Sequence, residues 1–329
     1  MSDEFLKLPK EQRRVILEGA ETQLGIKPNL LEKDIWICWV LNKLFTLPKQ
    51  MAFKGGTSLS KCYGLIDRFS EDVDVTVDYR EFMPDLDFAK ESKSALKKKR
   101  KELQVMVADY VADYVIPMLE REYTREFDID EFDIEFEGGE KLFLKYPSAF
   151  DSNTSGYIAD SVLIEFGGTN KTEPNEQHIV TPYLVAEGLV LPTANAVVYS
   201  PARTFWEKAT LIHVECHRGR LQETPDRLSR HWYDLAMLSN SDIKQKALAD
   251  EELFNDVMQV KKAFFNASYA NYEKCENNEF VLVPADKEID QLEADYSKMI
   301  DSAMFLHQPV PFNEIISNLS ELQDEINQR

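Results

Sequence analysis

The chain has 329 residues, 43% of them hydrophobic and 11% aromatic, and its 38 Lys and Arg against 58 Asp and Glu give a net charge of −20. That length allows one large core or two of ordinary size, and the acidity excludes a broad basic surface for nonspecific attraction to a phosphate backbone, so any nucleic-acid contact has to be local. No apolar run approaches the roughly 20 residues of a membrane span, Ile35 to Leu47 being broken by Asn42 and Lys43, and the start Met-Ser-Asp-Glu lacks a signal peptide's basic and apolar regions; the expectation is a cytoplasmic protein with no membrane partner.

In chain order, Lys10 to Leu24 and Pro28 to Phe45 read as helices, the second with Pro in its first turn and an apolar face of Leu31, Ile35, Cys38, Trp39, Leu41 and Phe45. Met51 to Lys54 reads as a short strand, Thr57 to Leu65 as a helix, and Val73 to Val77 as a strand of mainly β-branched residues. A long charged helix is expected from Phe88 to about Ile116, carrying the basic run Lys97 to Lys101, whose simplest reading is a solvated face. Phe127 to Phe136, Lys141 to Tyr146 and the more apolar Ser161 to Phe166 read as strands, with Asp151 to Gly156 and Gly167 to Gln177 as polar loops. From Ala202 onward the pattern is almost wholly helical. The fold class is therefore α/β of the α+β kind, a mixed-sheet domain over residues 1–199 followed by a helical domain over residues 200–329. Cysteines 38, 62, 216 and 275 lack Cys-x-x-Cys spacing and neighbouring paired histidines, which indicates reduced thiols rather than zinc or disulfides.

The segment from Gly55 to Asp74 carries the most chemistry. Glycines 55 and 56 let backbone N–H groups approach phosphate oxygens, and Asp72 and Asp74, at alternate strand positions, share a face where one divalent cation could neutralise both. Either half alone is common in ordinary proteins, a strand-to-helix turn or a solvated strand edge, but together they suit a nucleotide triphosphate. Glu165 interrupts an apolar strand, so it stands either on the open sheet face beside the acidic pair or at the surface of an edge strand. Downstream, Ser200 and Pro201 open a helix as N-cap and first residue. Its Lys208 is suited to a triphosphate or to pairing with an acid such as Asp234, and its Arg203 to a phosphate or base. Asp234 follows Arg230 by four residues, as in a surface ion pair, yet its apolar neighbours favour a buried, position-holding role.

Four blocks in order give the chain a resemblance to the nucleotidyltransferase AbiEii/AbiGii toxin family of abortive-infection and type IV toxin–antitoxin systems. They are Glu32-Lys33-Asp34-Ile35-Trp36; Phe53 to Leu59 with Arg68 to Asp74; Arg203 to Lys208 through His213; and Leu228 to Leu235. The last ninety or so residues carry no motif of their own. The resemblance implies a polymerase-beta-like nucleotidyltransferase fold that binds an NTP, GTP or CTP among them, with Mg²⁺ or Mn²⁺, and moves a nucleotide onto an RNA acceptor, tRNA included; a cognate antitoxin is implied as partner. Residue by residue, it implies phosphate binding at Gly55, Gly56, Thr57 and Ser58, metal binding at Asp72, Asp74 and Glu165, catalytic roles for those acids with Lys208 and Asp234, and further nucleotide contacts from Ser70, Arg203 and Lys208. Gly-Gly-Thr-Ser stands where nucleotidyltransferases often have Gly-Ser, and Glu165 where Asp is common. Two other readings fit the same residues: an NTP-binding regulatory module without turnover, or an NTP-dependent phosphotransferase acting on protein, with Ser70 close to Asp72 as one acceptor.

Overall fold

In the computed structural model, which describes residues 3–127, 131–150, 161–221 and 227–329, the chain divides into two units. The first comprises Met1–Cys62, Ser70–Leu86 and Lys101–Tyr199, and the second Tyr63–Phe69, Asp87–Arg100 and Ser200–Arg329.

The first unit is built on a mixed sheet. After the two-residue strand β1 (Asp3–Glu4) come α1 (Lys10–Leu24), closed by Gly25 at φ +68°, and α2 (Pro28–Leu44). β2 (Met51–Lys54) passes directly into α3 (Gly55–Lys61), which starts at the first glycine and stops at Cys62, earlier than the expected Leu65, where Gly64 turns at φ +60°. β3 (Asp72–Val77) is followed by α4 (Lys93–Tyr110) and α5 (Ile116–Glu126), joined by a π-helical turn at Val111–Val115. This helical run outlasts the expected end near Ile116, because Pro117 falls in the first turn of α5, just after the widened turn, where its missing N–H is tolerated. Then come β4 (Asp133–Glu137), β5 (Lys141–Lys145), β6 (Ser161–Gly167), β7 (Asn175–Val180), β8 (Leu189–Val190) and β9 (Ala194–Tyr199).

Seven strands form one sheet in the order β4-β5-β6-β3-β2-β9-β7, with β3/β6 and β2/β9 parallel and the other neighbours antiparallel; β1 pairs with β8 separately. One face is the core: Val73, Val75, Val77, Phe53, Ile164, Val162, Leu142 and Leu144 are buried. α2 packs on β9 and β6, and α1 and α5 pack on α2, where Trp36 stacks on Tyr146 with 5.4 Å between ring centroids. The expected loop after Gly167 is shorter than its reading, since residues 175–177 open β7; this strand was not legible because it is polar and lies at the sheet edge, so it lacks an apolar alternation. β4 starts later than the expected Phe127, which is instead the buried end of α5. The expected loop at Asp151 to Gly156 lies outside the described residues.

The second unit is helical, as its periodicity indicates. It contains α6 (Pro201–His217), α7 (Arg230–Ser239), α8 (Ile243–Ala249), α9 (Glu251–Phe264), α10 (Tyr272–Glu276), α11 (Asp286–Asp301) and α12 (Phe312–Asn327). α6 opens as expected, the Ser200 hydroxyl accepting from the Ala202 N–H at 3.3 Å with Pro201 first in the helix. α6 is the hub, packing on α7, α8 and α9, while α12 covers α7. Trp206 and Trp232 are buried and donate to the carbonyls of Ala247 and Leu282, so their size fills the core without stranding an indole N–H. The short segment 63–69 belongs here too, tied by Phe69 N–H to the Met304 carbonyl and by Leu306 N–H to the Asp67 carbonyl. Among the described residues no helix is long and apolar enough to cross a membrane.

Candidate functional site

In the first unit, the acidic pair and the glycine turn meet. Asp72 and Asp74 project from one face of β3, opposite the buried Val73 and Val75. Lys54, the last residue of β2, lies across from Asp74. The next residue, Gly55, has φ +78°, and a Cβ there would stand 2.1 Å from Asp74 Oδ2. The carboxylate therefore occupies the volume that any side chain at position 55 would need, and the glycine serves both the turn and this approach. Gly56, Thr57 and Ser58 are buried; Thr57 Oγ1 donates to the carbonyl of Asp72 and Ser58 Oγ to that of Gly55, at 2.9 Å. The Thr57 hydroxyl thus fixes the turn to the acidic strand, and the Ser58 hydroxyl closes the turn on itself. Ser70 is buried just before that strand.

Glu165 is brought alongside the pair, for β6 runs parallel to β3 with Glu165 in register with Asp74. Across four strands the same row reads Lys54, Asp74, Glu165, Lys141, two carboxylates flanked by two ammonium groups on one face. Glu165 accepts an ion pair from Lys141 at 3.0 Å and is one-third exposed. Among the described residues no three His, Cys, Asp or Glu side chains gather closely enough to hold a metal ion by themselves. Two carboxylates nonetheless fit Mg²⁺, which is usually held by one or two of them with water and substrate phosphates completing six oxygens, and the approach of Asp74 to Gly55 sets the carboxylates beside the glycine turn.

Beneath this row lies a feature the sequence reading quoted without assigning. α2 is buried on nearly every side, including Glu32, Lys33 and Asp34 in succession. Charges so placed need partners, and each has one from a different element. Glu32 accepts from Arg13 of α1 at 2.8 Å and from the Ala149 N–H at 2.9 Å. Lys33 pairs with Glu71, the residue before Asp72, and Asp34 pairs with Lys61, the last residue of α3, while accepting from the Tyr183 N–H at 2.6 Å. One helical turn thereby fixes the start of the acidic strand and the end of the glycine helix. The signal was present in the sequence: three consecutive charges inside an otherwise apolar helix.

In the second unit, Lys208 of α6 and Asp234 of α7 meet at 2.8 Å, so the two residues singled out on separate helices are direct partners. Asp234 is fully buried and is also gripped at 2.8 Å on each oxygen by Nε and Nη2 of Arg68, a residue given no role by the sequence. Burial alone would raise the Asp234 pKa, but Arg68 and Lys208 together outweigh it and hold the carboxyl well below its ordinary range. Burial draws the Lys208 pKa below its ordinary value, with Asp234 opposing the shift and Arg68 and Arg230 adding to it; with both cations charged, the cluster of Arg68, Lys208 and Asp234 carries a net positive balance. His231 lies beside it, and burial, reinforced by Lys208 and Arg230, keeps its imidazole neutral. Arg203 is buried and bonds Asp256 of α9 at 2.9 Å, a contact that holds α6 against α9.

The family described as nucleotidyl transferase AbiEii toxin, type IV TA system, matches residues 39–318, most of both units. Among solved structures the chain is similar to MenT4, a nucleotidyltransferase toxin from Mycobacterium tuberculosis H37Rv, at 14% identity over 98% of this chain and 97% of that one, with a TM-score of 0.41. No curated protein matches.

Proposed function

The chain belongs to the AbiEii nucleotidyl transferase toxin family of type IV toxin–antitoxin systems, and from that premise we propose that it transfers a nucleotide from an NTP such as GTP or CTP to a hydroxyl of an RNA acceptor such as tRNA, under the control of a cognate antitoxin. The observation that carries the assignment to specific residues is the Asp72/Asp74 pair on one strand face with Asp74 packed against the Cα of Gly55. In the reaction the acceptor oxygen bonds to the α-phosphorus, the bond from that phosphorus to the β-phosphate bridging oxygen breaks, pyrophosphate leaves with the electron pair, and the hydroxyl proton passes to solvent.

Asp72 and Asp74 would hold the divalent cation, Mg²⁺ or Mn²⁺, with Glu165 next to Asp74 on the same face. When bound, that cation supplies neutralising charge on the triphosphate and acidifies the attacking hydroxyl. The turn at Gly55, Gly56, Thr57 and Ser58 would contribute backbone N–H donors to the phosphates, with the Thr57 hydroxyl tying it to the acidic strand and the Ser58 hydroxyl closing it on the Gly55 carbonyl. Lys208 is the proposed ammonium for the β- and γ-phosphates. Asp234 and Arg68 position it, since Asp234 binds both cations at 2.8 Å. Arg203, buried against Asp256, acts in this reading through α6 rather than on the nucleotide.

The test is incubation of the purified protein with α-labelled NTPs, Mg²⁺ and a tRNA pool, for wild type and for Asp72→Asn and Asp74→Asn. The expected result is label on RNA with wild type, none with either variant, unchanged melting temperatures, and loss of growth inhibition in cells. Transfer that persists in both variants would sink the assignment. Phosphate on protein, or nucleotide binding with no transfer, would favour the phosphotransferase or the non-catalytic reading instead.

A further inference from the structure

The second unit contains a cavity of about 560 Å³ that the reaction as described does not use. Its wall is the first two turns of α4, which present Lys93, Lys97 and Arg100 at i, i+4 and i+7, one face of the helix. The opposite wall is the end of α9 and the turn after it, contributing Lys262, Phe265 and Asn266. The site is braced. Phe264 is buried and meets Phe88 edge-on at 5.2 Å, and the half-buried Phe265 ring carries the Arg100 guanidinium and the Lys261 ammonium, each 5.0 Å from its centroid.

Charge makes the cavity unusual for this chain. The molecule carries 20 more acids than bases, yet here four cations line one concavity. Lys262 is neutralised by Glu276 at 2.9 Å, and Lys99, off the cavity wall, by Glu91 at 3.5 Å. Lys93 and Lys97 are exposed, and no ion pair engages either of them among the described residues. Like charges held together in a concave site repel unless an anion is present, and their spacing of four residues, about 6 Å along a helix axis, suits successive anionic groups rather than one. The lining hydroxyls and amide of Ser94, Ser268 and Asn266 add neutral donors of the kind that bind phosphate oxygens.

We propose that this basic cavity is a docking site for the phosphodiester backbone of the RNA acceptor; the inference rests on the nucleotidyl-transfer reading for the identity of the polyanion. Phosphate is favoured over an acidic peptide because point-charge ammonium groups, hydroxyls and a partly open aromatic ring converge in one site, the combination that tracks a nucleic-acid strand.

The experiment compares wild type, Lys93→Gln/Lys97→Gln and a control, Lys98→Gln/Lys101→Gln, which removes the same charge from positions of α4 that do not line the cavity. Binding to a labelled tRNA pool is followed by anisotropy between 50 and 300 mM salt (concentrations on the order of those over which counterion release is read), without NTP, beside NTP binding and thermal melting. The cavity variant should bind RNA about tenfold more weakly near 100 mM salt, with the slope of log K against log salt reduced by about 1.4, two contacts at roughly 0.7 each. The control should match wild type, and NTP binding and melting should be unchanged in both. Equal RNA binding by the cavity variant and wild type, or an equal loss in the control, overturns the docking site. So does selective loss of an acidic protein partner with RNA binding intact. Wild type that binds RNA through the cavity and transfers nothing overturns the enzymatic reading alone; transfer to RNA that is indifferent to Lys93→Gln/Lys97→Gln overturns the docking site alone.

Discussion

At the scale of single residues, Gly55 decides whether Asp74 can stand where it does. Its φ of +78° is strained for any other residue, and the space beside its Cα is filled by the Asp74 carboxylate, 2.1 Å from a Cβ built there. Gly25 gives an internal comparison, with φ +68° and nothing within 4 Å of its own Cβ position. Gly25→Ala and Gly55→Ala should therefore share a backbone penalty of about 1–3 kcal/mol, measurable by urea unfolding. Only Gly55→Ala also displaces Asp74, so only that variant should lose nucleotide transfer, by at least about a hundredfold if the carboxylate moves by about 1 Å. Equal transfer activity in the two variants would show that the approach of Asp74 to Gly55 has no chemical role. This pair of substitutions separates strain from site geometry, which the double role of Gly55 otherwise merges.

At the scale of elements, α2 holds the first unit's site from below through its three buried charges. Lys33→Met leaves the Glu71 carboxylate buried without its ammonium, a change that typically costs about 3–5 kcal/mol, whereas replacing both partners by apolar groups of similar volume is often near neutral. Lys33→Met should thus lower the unfolding free energy strongly and Lys33→Met/Glu71→Met should recover most of it, a coupling visible in a double-mutant cycle. An additive pair of losses would mean that Lys33 and Glu71 act separately. The same helix shows how far sequence reaches. Its boundaries followed from Pro28 and the apolar pattern, and the shared face of Asp72 and Asp74 followed from strand alternation, both local properties. What pairs with what was legible only as one alternative for Lys208 with Asp234 and otherwise not at all. Glu165 joins Asp74 through a parallel pairing across 91 positions whose register no local signal sets, and Arg68 reaches Asp234 across 166 positions. The contacts of Lys208 with Asp234 and of Glu165 with Asp74 and Lys141 are of this kind, made between elements far apart in the chain.

At the scale of the whole molecule, an excess of 20 negative charges acts on every equilibrium the chain enters. Two opposed effects of salt compete. Screening weakens exposed ion pairs such as Lys145 with Asp133 and Lys10 with Glu131, each worth about 0–1 kcal/mol, but it also relieves the self-repulsion of the acidic surface. Buried pairs such as Arg13–Glu32 and Arg68–Asp234 are nearly indifferent. Because 58 acids face only 38 bases, repulsion should dominate, and shortening the screening length from about 30 Å at 0.01 M to about 8 Å at 0.15 M NaCl should raise the melting temperature by about 1–2 °C for each kcal/mol relieved. RNA affinity should fall over the same range, since counterion release opposes binding at the Lys93/Lys97 cavity. Stability and acceptor affinity therefore respond to salt with opposite signs, and a scan of melting temperature beside anisotropy measures both on one sample. A melting temperature that falls as salt is added would show that exposed ion pairs, not net charge, govern the folded chain.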